Sequence, residues 1–314
     1  MSPPQAMIEL RRLFRFFGET RAVNDVSFTV APGEVLGFIG PNGAGKTTTM
    51  RILSTLDLPS HGDAFVDGFS VVNDPDRVRL RLGFMPDFFG TYPNVNCWEY
   101  LDFFARSYGL SGAARQQAVR HTLSFTGLDA LLEKPVRALS KGMKQRLCLG
   151  RAMIHDPAAL ILDEPAAGLD PRARIELRRM IRELAAAGKA LLVSSHILSE
   201  LAEMCDQVAI IEQGRILAMG SVDEVLHGQN TRRTIQVRAL QHVEKLVGWL
   251  AARELLSDVV ADGDVVTFGH QGDRQQEAAL LRDLVQAGFE ISEFSSQKKS
   301  LEDVFMRVTT GAVQ

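Results

Sequence analysis

One octapeptide constrains this chain more than any other feature. Gly40-Pro41-Asn42-Gly43-Ala44-Gly45-Lys46-Thr47 follows the apolar run Val35-Leu36-Gly37-Phe38-Ile39 and opens a segment, Thr47 to Leu56, that reads as a helix. Glycines let the backbone curl so that successive N–H groups converge on a polyphosphate, and the helix start adds its positive dipole end. Lys46 supplies a mobile cation, Thr47 offers a hydroxyl to Mg²⁺, and Thr48 stands beside it in the first helical turn. The strand before and the helix after are the context that separates such a loop from a glycine turn with no ligand.

Two further apolar runs end in polar groups. Ala159-Leu160-Ile161-Leu162 terminates in Asp163-Glu164, and Lys189-Ala190-Leu191-Leu192-Val193 terminates in Ser194-Ser195-His196. A buried parallel strand has its carboxyl end at the ligand crevice. Asp163 is therefore placed to hold Mg²⁺ through water, and Glu164 to orient or deprotonate an attacking water. Mere solvation is the alternative for two acids at a strand end, and a satisfied structural histidine is the alternative for His196. Following a phosphate loop, a γ-phosphate contact is the better reading of His196.

Before the loop, Ile8 to Val30 alternates apolar and polar positions around a turn at Gly18-Glu19, which predicts an antiparallel hairpin. Phe16 and Phe17 precede the turn, and alternation sends them to opposite faces, so at most one stacks on a base. Phe17 is the favoured one; packing of both in the core is the alternative. After the loop, strands are expected near 62–66 and 82–87, and helices from Cys97 to about Thr126 break the strand–helix alternation as an insertion. Ser140 is placed to cap a helix reaching about Ile154, and Gly168-Leu169-Asp170-Pro171 turns into another reaching Ala187. A hairpin around Glu212-Gln213-Gly214 follows.

The first domain is thus bounded at 7–226, with the helical insertion at about 88–155, a linker at 227–233 and an accessory domain at 234–314. In the last, the order β-α-β-β-α-β with Asp262-Gly263 at the hairpin is the ferredoxin-like arrangement. Ser300 and Asp303 predict a capping box for a helix from Leu301 to Val308. Partner contact, regulation, dimer support and plain packing all remain open for this tail.

Composition limits the partners. A chain of 314 residues, 46% hydrophobic, has enough apolar material for both domains, and a formal net charge of -3 gives no reason to expect nucleic acid. The basic stretch Arg77-Val78-Arg79-Leu80-Arg81 reads as a solvated face. Cys97, Cys148 and Cys205 lack metal-ligand spacing and fit a reducing compartment. Apolar runs fall short of the roughly 18 to 20 residues that span a bilayer, and Met1 to Met7 lacks the parts of a signal peptide, so a soluble, non-secreted polypeptide is expected.

The phosphate loop, Ser140-x-Gly142 opening a helix, Asp163-Glu164, Gly168-Leu169-Asp170 and His196, in this order, resemble the ATP-binding subunit of ABC transporters over about residues 7 to 226. The fold implied is an α/β P-loop ATPase core with an antiparallel β subdomain and a helical insertion, here followed by the small α+β ferredoxin-like domain. The resemblance implies that Leu139 to Met143 is the signature motif, that Asp170 lies on the loop crossing a dimer interface, and that His196 is the switch histidine. It further implies ATP and Mg²⁺ as cofactors and a head-to-tail dimer that sandwiches two ATP molecules between one subunit's phosphate loop and the other's signature helix. Two departures stand out. Asp87 occupies the position of a glutamine that reaches Mg²⁺ and relays to the transporter, and a carboxylate binds the ion but donates no hydrogen bond when ionised. Lys141 and Met143 replace the signature's usual glycine and glutamine, and the direction of the Lys141 charge is not readable from sequence.

The layout with a small C-terminal domain resembles bacterial exporters whose permease is a separate polypeptide, which implies a cytoplasmic protein held peripherally on the inner face of the membrane. The alternative is a soluble relative acting on ribosomes or nucleic acid. One phosphate loop, no sustained heptads and no basic arm weigh against it. A kinase or GTPase leaves the signature and His196 unexplained.

Overall fold

Strands that are apolar on both faces are stable only when covered on both sides, and this requirement organises the first half of the molecule. The computed structural model describes residues 6–88, 90, 92, 94–195, 198–227, 233–297 and 309. It divides into two compact units that meet between Val222 and Asp223.

The first unit opens with β1 (Ile8–Phe17) and β2 (Thr20–Val30), paired antiparallel with Leu10 opposite Phe28. Next come β3 (Val35–Ile39), α1 (Lys46–Leu53), β4 (His61–Val66), β5 (Phe69–Ser70), α2 (Pro75–Arg81) and β6 (Leu82–Met85). The helical segment is α3 (Cys97–Ser107), α4 (Gly112–Phe125) and α5 (Lys141–Met153). The chain returns through β7 (Ala159–Leu162), α6 (Pro171–Ala186), β8 (Ala190–Ser195), α7 (Leu198–Met204) and the hairpin β9 (Gln207–Glu212) and β10 (Arg215–Ser221); α8 (Val222–His227) starts at the boundary and runs into the second unit.

Among the described residues these strands form two sheets, ordered β2-β1-β4-β5 and β10-β9-β3-β8-β7-β6. In the larger one β3 pairs in parallel with β8 on one side and β9 on the other, and β8, β7 and β6 continue in parallel. The strand order reverses at β3, and a reversal of that kind opens a crevice at the carboxyl ends. Phe28 of the antiparallel sheet meets Phe38 of β3 at 5.7 Å between ring centroids, inside one core that also takes Met50, Ile52 and Leu53 from α1. The helical segment packs a second core, around Tyr100, Leu101, Leu123 and Leu147. All three cysteines are buried and free, and burial pushes the Cys148 thiol up to about 12.

The helix after the phosphate loop is shorter than its sequence pattern suggests. It stops at Leu53 because Thr55 turns into the left-handed region (φ 58) while Ser54 N and Thr55 N bond back to Met50 O and Ile52 O. The basic stretch forms α2, a helix with Pro75 in its first turn and its arginines exposed; Arg79 pairs with Asp76 at 2.8 Å.

The second unit is β11 (Arg233–Ala239), α9 (Val243–Ala251), β12 (Leu256–Asp262), β13 (Val265–His270), α10 (Arg274–Gln286) and β14 (Ile291–Gln297). Its sheet, ordered β12-β13-β11-β14 and antiparallel throughout, is the split βαβ arrangement. Alternate residues Ile235, Val237, Val266 and Phe268 turn inward onto Leu246 and Leu250 of α9 and Leu280 and Leu284 of α10. The capping box expected at Ser300 and Asp303, and the helix after it, lie outside the described residues. One is present at α10, where Asp273 accepts from Gln275 N and Gln276 N and the Gln276 side chain accepts from Asp273 N.

Just past α5, His155 lies flat on Tyr108, with rings 3.6 Å apart and 7° from parallel. Burial pushes this imidazole down to about 4 from its ordinary 6.5. Between those two values the unfolded chain takes up a proton that the folded one refuses, so stability falls as pH drops from 6.5 towards 4 and is unaffected above 6.5. His155→Phe keeps the stacking and removes the titration. In urea unfolding of the first unit, the loss of stability between pH 7 and pH 5 should be about 1–2 kcal/mol smaller in this variant than in the parent.

Candidate functional site

Neighbouring strands β3, β8, β7 and β6 bring their carboxyl ends to one edge of the sheet. From β3 the chain enters Gly40-Pro41-Asn42-Gly43-Ala44-Gly45, whose shape is imposed from behind. Gly45 has φ 104, and a Cβ there would collide with the Ala22 carbonyl of β2; at Gly40 it would collide with the Ile211 carbonyl of β9. The β9–β10 turn completes the brace, since Gly214 N donates to Ala44 O at 2.9 Å and Asn24 N donates to Gly214 O at 2.8 Å. Asn42, Gly43 and Thr47 face outward, Pro41 and Thr48 are half-buried, and Ala44 is buried.

Lys46 is 6% exposed and folds over the loop, its Nζ donating to Gly40 O at 2.6 Å and Pro41 O at 3.2 Å. Burial lowers its pKa, while the charges of Glu164 and Asp163 pull it back up. The cation from β3 and the carboxylates from β7 therefore share one electrostatic neighbourhood.

At the end of β7, Asp163 is 1% exposed and accepts a 2.7 Å hydrogen bond from Ser194 Oγ. The same hydroxyl accepts from Glu164 N at 2.8 Å. Glu164 has φ 50, in the left-handed region that a non-glycine residue enters at a cost of about 1–2 kcal/mol, and this bond helps to hold it there. Asp163 N donates to Met85 O at 2.8 Å, which ties β7 to β6 just before Asp87. Asp87 is exposed at the loop that follows, next to Phe88, which is 87% exposed.

Phe16 is half-buried, within 6.0 Å of the Phe14 and His61 rings, whereas Phe17 is 49% exposed with the Arg15 guanidinium 4.4 Å from its centroid. His196 lies outside the described residues, directly after the last residue of β8.

A second group of motif residues gathers elsewhere. Ser140 caps α5 by accepting from Met143 N at 3.3 Å, and Asp170 caps α6 by accepting from Ala173 N at 2.9 Å. Gly142 abuts Ala173. The Lys141 ammonium, whose direction sequence left open, lies against Gly168, and Arg146 pairs with Glu176 at 3.3 Å. The two helix starts are therefore locked together. No hydrogen bond or ion pair among the described residues joins Ser140 or Asp170 to the phosphate loop.

Sequence reasoning passed over Ser194 as a site residue. Its signal was a pair of hydroxyls closing an otherwise apolar buried strand, where each hydroxyl must find a partner. Among the described residues no cluster of three or more His, Cys, Asp or Glu could hold a metal ion by itself.

Residues 23–167 match the sequence family described as "ABC transporter", and residues 220–309 match one described as "ATP-binding protein DrrA1-3-like, C-terminal domain". The chain is 34% identical over 306 residues to a "Nod factor export ATP-binding protein I" of Ralstonia nicotianae, covering 96% of this chain and 94% of that one. It is also 34% identical over 302 residues to an "Uncharacterized ABC transporter ATP-binding protein YxlF" of Bacillus subtilis, covering 96% and 99%. Among solved structures, one described as an "ATP binding subunit of ABC transporter" superposes with a TM-score of 0.65 at 32% identity, covering 71% of this chain and 92% of that one.

Removing the Ser194 hydroxyl leaves a buried carboxylate and a backbone N–H without their partner. Ser194→Ala should destabilise the first unit by about 1–3 kcal/mol in urea unfolding and lower nucleotide turnover. Turnover and stability equal to the parent's would show that the bridge carries no weight.

Proposed function

The chain belongs to the ABC transporter family as an ATP-binding subunit and is an ATPase, and from this we propose that two copies pair head to tail and use ATP hydrolysis to drive export of a substrate through a separate membrane permease. The observation that carries the reading is the Asp163–Ser194–Glu164 bridge set in the same electrostatic neighbourhood as Lys46. In this proposal the N–H groups of Gly40 to Thr48 cradle the phosphates, Lys46 exchanges its carbonyl partners for phosphate oxygens, and Phe17 stacks on the adenine. Thr47, Asp163 and Asp87 offer oxygen donors at this edge, a set that fits Mg²⁺ completed by phosphate and water oxygens. When bound, the ion neutralises charge on the phosphates. Glu164 orients the attacking water and takes its proton, and His196 contacts the γ-phosphate.

The position of the second group supports pairing. The first turn of α5 carries no acidic residue, Ser140 is exposed, and Gly142 has no side chain to block the N–H groups around it. A helix start of that kind suits a γ-phosphate presented by another copy. Asp170, on the turn that Lys141 touches, would cross the interface beside it.

Support for a permease comes from exposed aromatics in the stretch that follows Asp87: Phe88 is 87% exposed, Tyr92 54% and Phe103 53%, with the Tyr92 and Phe103 rings 6.0 Å apart. Exposed aromatics gathered in this way suit burial by a partner. Among the described residues no helix is long and apolar enough to cross a membrane. The permease would hold the subunit peripherally on the inner face of the cell membrane, and relatives named for Nod factor export support the outward direction. Residues 7–226 form the ATP-binding domain in this reading, with the insertion at about 88–155, the linker at 227–233 and the accessory domain at 234–314.

Glu164→Gln should lower ATP turnover by about 100-fold or more while retaining ATP and accumulating as a dimer in size-exclusion chromatography. Undiminished hydrolysis would remove Glu164 from the mechanism. Phe88→Ser together with Tyr92→Ser should leave ATPase activity of the isolated subunit intact and reduce co-purification with a permease encoded beside it; unchanged recovery would place the docking surface elsewhere.

A further inference from the structure

Phe17 closes β1 and pairs with Thr20 of β2. Two residues further along β2, the Ala22 carbonyl fixes Gly45, so this end of β1 lies beside the phosphate loop. The strand divides its side chains here. Phe14 and Phe16 turn to each other and to His61, with ring centroids 6.0 to 6.3 Å apart. Arg15 lies with Phe17 instead, its guanidinium carbon 4.4 Å from the ring centroid. A planar cation therefore takes one face of that ring, while Phe17 remains 49% exposed, which leaves the other face to a base.

Arg15 is itself anchored. Its Nη2 pairs with Asp57 Oδ1 at 2.8 Å, and the two side chains are only 24% and 18% exposed. The same carboxylate oxygen accepts from Leu58 N at 2.9 Å, which fixes its direction. Asp57 belongs to the turn that leaves α1, the helix that starts at Lys46. Ser60 clamps the strand from the same turn, since its N donates to Phe14 O at 2.7 Å and its Oγ accepts from Phe16 N at 3.0 Å. The helix behind the phosphate loop is thus joined to the aromatic ring through Asp57 and Arg15. An ion pair shielded in this way is screened less than a fully exposed one, and a cation over an aromatic face is drawn to the ring's electrons.

We propose that Arg15 is a positioning residue for nucleotide: clamped by Asp57, it holds the Phe17 ring as a fixed platform in step with the phosphate loop. The proposal rests on the reading of Phe17 as the residue that stacks on adenine. Holding the ring before nucleotide arrives removes the ordering of a half-exposed side chain from association. It also discriminates between bases, because a purine covers more of the ring than a pyrimidine, so loss of the platform costs ATP more than UTP.

Steady-state hydrolysis by the full-length chain tests this in Arg15→Met, Arg15→Gln, Phe17→Ala and each Arg15 variant combined with Phe17→Ala. Arg15→Met keeps the apolar stem and Arg15→Gln keeps a donor for Asp57; both take the cation off the ring. In each, KM for ATP should rise about fivefold with kcat within about twofold of the parent, and kcat/KM for UTP should fall by less than about twofold. Phe17→Ala alone should raise KM for ATP about tenfold or more, and adding an Arg15 substitution to it should change nothing further. A general defect at the sheet edge would instead lower kcat/KM for both nucleotides alike and add to the loss in Phe17→Ala. Either result overturns the proposal. If Phe17→Ala is impaired and the Arg15 variants keep the parent's KM for ATP, the role of Arg15 alone falls. If Phe17→Ala itself keeps the parent's KM, the stacking role of Phe17 falls and that of Arg15 with it.

Discussion

The Ser194 hydroxyl, fully buried in β8, donates to Asp163 and accepts from Glu164 N. Through that one oxygen two parallel strands agree on where β7 ends and which way its second carboxylate turns. Asp163 stays inside the sheet edge, while Glu164 adopts the left-handed backbone that swings it out of the strand direction. A hydroxyl serves here because it donates and accepts at once; a longer amide would not fit a site that is closed on both faces. The bond also couples packing to chemistry, because any slip of β8 against β7 moves both carboxylates relative to Lys46.

Much of this was legible from residues alone because the signals were local. Glycine spacing in 40–45, the two carboxylates after Ile161-Leu162, and Ser140 and Asp170 before helical patterns each state a backbone requirement within a few positions of themselves. What escaped was long-range. The loop's support by Ala22, Ile211 and Gly214 joins segments about 20 and 170 residues away, and no periodicity announces such a meeting. The contact of Lys141 with Gly168 is of the same kind: the sequence declares a charge and stays silent on its direction. Ser194 was missed for a different reason, since one hydroxyl in a buried strand reads as tolerated polarity until its two partners are seen.

The second unit follows a different logic. Strands β11 and β13 alternate, so each puts one side into the core of α9 and α10, in a sheet ordered β12-β13-β11-β14. His270 lies on the inward side of β13, in register with Val266 and Phe268, where alternation calls for an apolar residue. A polar ring at a core position persists when something satisfies it. The Gly272 turn satisfies one nitrogen, its N–H donating to Nδ1 at 3.1 Å.

The brace behind the phosphate loop has a thermodynamic corollary. Because Gly40 and Gly45 are fixed by the Ile211 and Ala22 carbonyls and Ala44 by Gly214, the loop reaches its final curve through protein contacts that exist without ligand. Nucleotide association therefore orders few backbone torsions in this loop. Its calorimetric profile should lack the large entropic penalty and the strongly negative heat-capacity change of a segment that folds around its ligand. The conformational cost of building the cradle is charged to the folding of the sheet, once, rather than to every catalytic cycle.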